Sequence, residues 1–580
     1  MQEFYSNEKN VQILVSLLKQ NGIRKIIASP GTTNLTLVTS LQHDGFFEIY
    51  SSVDERSAAY IACGMAAESG EPVVLSCTGA TASRNYFSGL TEAFYRKLPV
   101  LAVTSTQPFG RVGNYFPQVI DRSQEPKDIL NCSVQIPIVQ SDEDYWATRV
   151  QMNKAIIALK RNGGGPAHIN MVTSYSNDFS VRELPKVQNI EYFEVTDRLP
   201  EITTKNVGVF VGSHVSWTDN LVHEVEAFCD KYNGVVLCDQ TSNYPGRFRI
   251  DSSLISEQDY FHPEVENIEL LIHIGQVSGI VAQVKPKEVW RVSNDGEVRD
   301  TFGKLSTVFN LSEEVFFSRY IVADGVTHLE NSYYHQWKEL DSSVRGQIKE
   351  LPFSNIWVAQ TASKQLPEES VVHFGILNSL RSWNLTNIPS SVRAYCNTGG
   401  FGIDGGVSSL VGASLCNYEK LYFGFFGDLG FFYDMNVLGN RHVGNNVRII
   451  IINNGKGTEF TNYNHMGARL GGDANEFVAA DGHFGHKSKQ LIKDYVENLG
   501  FKYMAARNKD EFNNKLKEFL NPDPQPKPVV FEVFTDSENE SKALKMINQT
   551  IVPKSGVLKD GMTSLIGRNR VDKLKQILHW

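Results

Sequence analysis

Short apolar runs separated by helix-length segments recur along this 580-residue chain, and they restrict its fold more than any other feature. In the first third, Ile26-Ile27-Ala28, Val73-Val74-Leu75-Ser76 and Pro99-Val100-Leu101-Ala102-Val103 read as strands. Residues 7–21 place Val11, Leu14, Val15, Leu17 and Leu18 on one helical face that Gly22 ends, and residues 58–67 read as a small-residue helix. Further strands are expected at 207–211, 235–237 and 270–274, and again at 422–426, 447–452 and 529–533. Strand–helix alternation of this kind implies α/β architecture with parallel, helix-covered, doubly wound sheets. A chain of this length exceeds one ordinary domain of roughly 100–200 residues. The parse is three α/β units at 1–185, 190–350 and 351–550, with a tail at 551–580. A polar stretch at 180–205 reads as a linker, and a charged segment at 337–350 as the connection to the third unit.

Composition narrows the class. Hydrophobic content of 41% and charged content of 21% are those of a globular protein, and a net charge of -9 argues against a nucleic-acid surface. The seven cysteines form no C-x-x-C pair, which fits reduced thiols in the cytoplasm. The first residues lack the basic and apolar regions of a signal peptide, and no apolar run approaches the roughly 18 residues that span a bilayer. The chain is therefore expected to be cytoplasmic, with no nucleic-acid or membrane partner.

Two distant segments carry chemistry. Gly427-Asp428-Leu429 follows one apolar run, and Asn453-Asn454 follows the next, with Asn454 26 residues after Asp428. Ligand groups in open α/β sheets gather at the carboxyl ends of strands. An acidic oxygen and an amide oxygen placed there can share one hard cation, with a main-chain carbonyl near Lys456 as a third ligand and phosphates completing the shell. By itself the pattern also fits a turn with a helix cap. The second segment, Val53-Asp54-Glu55-Arg56, offers a lone carboxylate at Glu55 to a buried heterocycle.

With GDLGFFYDMN…IINN in the third unit, the chain resembles the thiamine diphosphate (ThDP)-dependent decarboxylase and carboligase superfamily. It is most similar to the MenD-type synthases of menaquinone biosynthesis, which add a 2-oxoglutarate-derived unit to isochorismate. SPGTTN at Ser29, VDERSAAYIACGMA at Val53, CTGATASRNYFSGLTEA at Cys77, PQVID at Pro117 and CNTGGFGIDGG at Cys396 carry the likeness in family order. The resemblance implies that 1–185 binds the pyrimidine of ThDP and 351–550 its diphosphate. Glu55 would hydrogen-bond the pyrimidine ring and promote proton removal from the thiazolium carbon. The cofactor would then hold the carbanion left by loss of carbon dioxide from a 2-oxo acid. Asn85 and Gln118 would line the pocket, Gln118 with a catalytic role. Gly402, Ile403, Gly427, Asp428, Leu429, Asn454 and Phe460 would hold the cofactor. Asp428, Asn454 and Lys456 would bind Mg2+. Such enzymes join Glu55 of one chain to the diphosphate site of another, which implies a homodimer or homotetramer.

The chain departs from the MenD pattern where that pattern carries arginine. Thr33 and Thr398 stand at two such positions, and a basic pair of the middle domain aligns loosely with Ile280-Val281. Glu459 precedes Phe460 where an apolar residue is usual. Each missing arginine–carboxylate contact would cost about 1.5–3 kcal/mol of binding. Arg84 and Arg381 offer partial replacement, and His465 and Arg469 are further substrate candidates. No adjacent histidine pair lies near residue 118, which favours carboligation over simple decarboxylation. The expectation is a 2-oxo acid decarboxylase/carboligase with an aldehyde, ketone or enoyl-type acceptor other than isochorismate. Genuine MenD-type activity, simple decarboxylation and a non-catalytic ThDP-fold subunit are the alternatives. The tail carries Val571, Leu574 and Leu578 at helical spacing, as a helix docked on a partner subunit or a lid.

Overall fold

The structure, a computed structural model, describes residues 4–204, 206–279, 284–321, 332–523 and 525–552. The tail stripe at Val571, Leu574 and Leu578 and the Ile280-Val281 pair lie outside the described residues. The chain divides into two compact units, Met1–Glu194 with Gly296–Val308, and Val195–Asp295 with Phe309–Trp580. The second unit carries two sheets.

In the first unit β1 (Lys25–Ala28), β2 (Glu48–Ser51), β3 (Val73–Thr78), β4 (Val100–Thr106), β5 (Cys132–Ile136) and β6 (Ala167–Val172) form one parallel sheet in the order β2-β1-β3-β4-β6-β5. Alternate residues enter opposite cores. Val74, Leu101 and Val103 face one helical layer, while Val73, Leu75, Val100 and Ala102 face the other. Each valine or leucine among them contributes about 1.5–3 kcal/mol on burial, so both layers are needed to hide the sheet. Helix α1 (Lys9–Gln20) packs through the predicted apolar stripe and ends before Gly22, whose φ of 68° suits glycine. Helix α2 (Glu55–Ser69) starts at the Asp54 cap, where Asp54 Oδ1 accepts the Ser57 N–H at 2.8 Å.

In the second unit, β7 (Val207–Val211), β8 (Val235–Cys238), β9 (Arg249–Asp251), β10 (Leu270–Ile274) and β11 (Glu288–Ser293) run parallel in the order β9-β8-β7-β10-β11. The connection expected at 337–350 is largely helical. Helix α3 (Ser332–Gly346) covers most of it, and its Trp337 is fully buried. Apolar anchors at Tyr333, Trp337 and Val344 outweigh the charges on the other face.

The third sheet contains β12 (Val371–Phe374), β13 (Arg393–Cys396), β14 (Tyr422–Gly427), β15 (Val447–Asn453), β16 (Lys502–Ala506) and β17 (Val529–Phe534). All its pairs are parallel and its order is β13-β12-β14-β15-β17-β16. This repeats the order of the first sheet, strand for strand. Three parallel α/β sheets are thus present, as the strand–helix alternation implied. In both six-stranded sheets the winding direction reverses between the first and third strands. That reversal opens a crevice at their carboxyl ends, the usual ligand edge of such sheets. Among the described residues no helix is long and apolar enough to cross a membrane.

Candidate active site

The crevice of the third sheet receives the residues after β12, β14 and β15. Helix α4 (Asn378–Asn384) follows β12, and helix α5 (Asp428–Asp434) starts directly from β14. Asp428 is the first residue of α5 and is buried, its Oδ2 accepting the Gly455 N–H at 3.1 Å. Burial pushes its carboxyl up to about 7, against the opposing pull of the Leu429 and Gly455 N–H groups. Asn454 leaves β15 just before Gly455, whose φ of 79° makes the turn possible. Asn454 Nδ2 lies 3.4 Å from Thr458 Oγ1, while its Oδ1 is shielded and accepts no hydrogen bond.

This donor set fits a magnesium ion. Asp428 is a shielded carboxylate with no cationic partner among the causes of its shift, and Asn454 Oδ1 is a shielded oxygen without a donor. One hard cation would satisfy both. No group of three or more His, Cys, Asp or Glu capable of holding a metal occurs among the described residues.

The other third-unit residues singled out in the sequence have the following surroundings. Ile403 lies against α5, since a Cβ added to Gly430 would stand 3.4 Å from Ile403 Cγ1. Gly427 caps α5, and Leu429 is its second residue. Gly402 adjoins Phe401, which has a φ of 55° and is half-exposed. The Lys456 ammonium donates to Asn475 Oδ1 at 3.0 Å. Phe460 meets the His465 ring edge-on at 5.4 Å, and His465 Nδ1 accepts the Gly467 N–H at 2.9 Å. Arg469 is exposed. Arg381 and Glu459 form an ion pair, with Arg381 Nη2 donating to Glu459 Oε1 at 3.0 Å. Thr398 is buried, and a Cβ added to Gly279 would stand 3.2 Å from its Cγ2.

The first unit groups a smaller set. Asn85 Nδ2 donates to Glu55 Oε2 at 3.3 Å; Glu55 is half-buried and Asn85 exposed. Gln118 is exposed in the loop after β4, with a φ of 62°. Two substrate candidates are engaged within the protein instead. Thr33 Oγ1 is buried and donates to the Ser105 carbonyl at 2.8 Å. Arg84 Nη1 donates to Glu125 at 2.8 Å and its Nη2 to the Asp121 carbonyl at 2.8 Å. Reading residues by type missed Asn378 and Thr458. Asn378 Nδ2 donates to Thr458 Oγ1 at 2.8 Å and so braces the Asn454 turn. The N-N-G-K-G-T run was the available signal for Thr458; Asn378 had none beyond its place after β12.

Comparison with known proteins gives the family. The N-terminal TPP binding domain of thiamine pyrophosphate enzymes matches residues 9–125, the segment that holds Glu55 and Asn85. The fold, the matched domain and the relatives mark a ThDP-dependent enzyme that forms carbon–carbon bonds and works with ThDP and a divalent metal. Two relatives, from Bacteroides fragilis and Bacteroides thetaiotaomicron, are 30% identical over 574 and 568 residues. Each alignment covers 93% of this chain and 98% of the relative. A third, from Flavobacterium psychrophilum, is 26% identical over 565 residues, covering 91% of this chain and 96% of the relative. All three are 2-succinyl-5-enolpyruvyl-6-hydroxy-3-cyclohexene-1-carboxylate synthases, and the chain belongs to that family. The expectation of an acceptor other than isochorismate finds no support among these relatives.

Proposed function

We propose that the chain decarboxylates a 2-oxo acid and joins the remaining fragment to an acceptor, with MenD-type chemistry. The relatives' name describes a succinyl group on an enolpyruvyl-cyclohexene carboxylate, so the first reading is a 2-oxoglutarate donor and an isochorismate acceptor. The likeness over nearly the whole chain carries this reading. When bound, ThDP supplies the electron sink for the decarboxylation. Asp428, the Asn454 amide oxygen and the main-chain carbonyl near Lys456 would hold a magnesium ion, which would supply positive charge for a diphosphate. Gly402, Gly427 and Leu429 shape the cofactor's bed, and Ile403 and Phe460 present apolar surface to it. Glu55, steadied by Asn85, would hold the pyrimidine ring and set its proton. Gln118 orients the reacting carboxylate or acceptor.

The active unit is a homodimer or a larger homo-oligomer in which Glu55 serves the diphosphate site of the other subunit. The domains are 1–185, 190–350 and 351–550, and the seven free thiols suit the cytoplasm.

A second reading keeps the chemistry and changes the substrates, and the Arg381–Glu459 ion pair favours it. That pair, with neutral Thr33 and Thr398, leaves little unengaged cation for substrates bearing several carboxylates. One experiment separates the readings. ThDP, magnesium and a panel of 2-oxo acids are supplied with and without isochorismate, and carbon dioxide and ligated product are measured together. Coupled consumption of 2-oxoglutarate and isochorismate establishes the first reading. Carbon dioxide from other donors, with no ligation to isochorismate, establishes the second. No carbon dioxide from any donor refutes both.

A further inference from the structure

Asparagine is an ambiguous metal ligand, because the two ends of its amide are alike in shape and only one carries oxygen. A half-turn of the Asn454 amide would put NH2 where a cation needs a lone pair. Thr458 does not prevent that turn. Its hydroxyl accepts from Asn378 Nδ2 at 2.8 Å and keeps its own proton, so it can meet either end of the Asn454 amide. Helix α6 (Ser537–Asn548) brings a group that can tell the ends apart. It follows β17 and packs against the turn Thr458–Thr461. The Thr535 N–H, just before α6, donates to the Asn453 carbonyl at 3.1 Å and ties the helix start to the residue preceding Asn454. Glu540 lies in the first turn of α6 and is 6% exposed. Its Oε1 accepts the Thr535 hydroxyl at 2.6 Å, and both oxygens share the Asn355 N–H at 3.0 Å. Burial pushes the Glu540 carboxyl up to about 7, while the Thr535 hydroxyl, the Asn355 N–H and the Asn454 side chain pull it down. No cation is among those causes.

We propose that Glu540 is a positioning residue for the metal site, whose carboxylate takes the Asn454 NH2 and so leaves the Asn454 oxygen for the cation. A glutamine oxygen could receive the Thr535 and Asn355 donors without the cost of burying a charge. What an ionised carboxylate adds is that neither of its oxygens can donate. A flipped Asn454 would set its own oxygen against that carboxylate, so the unflipped amide is the one the pocket stabilises. Glu540 thus acts through Asn454, from a helix about 85 residues further along the chain. The inference rests on the magnesium site proposed above.

The test measures magnesium affinity by calorimetry in the presence of ThDP, at about pH 8 where the carboxyl is ionised. Wild type is compared with Glu540→Gln, Glu540→Asp and the double variant Asn454→Asp/Glu540→Gln, and urea midpoints are taken on the metal-free proteins. Glu540→Gln keeps the shape but can turn an NH2 towards Asn454, whereas Glu540→Asp keeps the charge and loses reach. Each should weaken magnesium binding at least ~10-fold while the metal-free urea midpoint stays at the wild-type value. The double variant should return to within about threefold of wild type, because both ends of an aspartate present oxygen. Wild-type affinity in Glu540→Gln overturns the proposal. So does a loss in Glu540→Gln with none in Glu540→Asp, which assigns the effect to charge alone. A double variant no tighter than Glu540→Gln also overturns it, as does a urea midpoint that falls in step with affinity, the mark of a mere anchor. Wild-type protein that binds no magnesium fails the metal-site reading itself, an outcome distinct from all of these, and the proposal falls with it.

Discussion

The Asn454 side-chain oxygen is shielded from water and accepts no hydrogen bond, a state that costs about 1–3 kcal/mol unless a ligand supplies the partner. Asp428 beside the same turn has its carboxyl raised by burial to about 7. Below that pH the metal-free site holds a proton that a cation must displace. Magnesium affinity in the presence of ThDP should therefore fall as pH drops from 7 to 5, by about tenfold per unit. Calorimetry in buffers of different ionisation enthalpy should show about one proton released per ion at pH 6 and almost none at pH 8.5. Asp428→Asn should weaken magnesium binding by at least ~10–100-fold. Glu55→Gln tests the other half of the site. It should slow hydrogen exchange at the thiazolium carbon of bound ThDP by about 10²–10⁴-fold while ThDP still binds; exchange at the wild-type rate would remove Glu55 from its assigned role. These residues were legible because each lies within a continuous motif. Thr33 and Arg84 were not, because what engages them is distant in sequence. The Ser105 carbonyl and Glu125 lie 72 and 41 residues away, and only the folded sheet edge brings them close.

At the scale of elements, the strands read most easily were those with both faces buried. Val73–Thr78, Tyr422–Gly427 and Val447–Asn453 carry near-continuous apolar runs because helices cover each side. The strands that escaped notice include both edges of each six-stranded sheet, Glu48–Ser51, Cys132–Ile136, Arg393–Cys396 and Lys502–Ala506. An edge strand meets solvent along one side and needs fewer apolar residues, so its pattern fades into that of a loop. The small-residue helix was legible for a different reason. Its alanines allow a close crossing with the helix Phe87–Arg96, where a Cβ added to Gly89 would stand 2.4 Å from Ala59 Cβ. That approach holds the end of α2 bearing Glu55 against the segment bearing Asn85. Gly89→Ala should destabilise the fold by about 1–3 kcal/mol, read as a lower urea midpoint with an unchanged slope. It should also weaken ThDP binding more than a surface alanine substitution of equal stability cost.

For the whole molecule, the repeated strand order has a functional sense. Two sheets of identical order each present a crevice at the first and third strands, one beside Glu55 and the other beside Asp428. Val53 is 80% exposed, with Tyr60 and Ile61 also exposed on α2; Met466 and Phe477 are exposed in the second unit at 77% and 85%. Apolar surface of this kind suits subunit contact. If each site takes its carboxylate from one subunit and its metal ligands from the other, two inactive homodimers should rescue each other. Glu55→Gln and Asp428→Asn proteins are each inactive when assembled alone. Co-refolded or co-expressed in equal amounts, about half of the dimers carry one variant of each kind. In those dimers one site gathers both lesions and the other gathers none, so activity should return to roughly a quarter of wild type. Tagging the two chains differently and purifying the mixed dimer should raise this to roughly half. Sites built within one chain would show no recovery at any mixing ratio, because every site would keep one lesion.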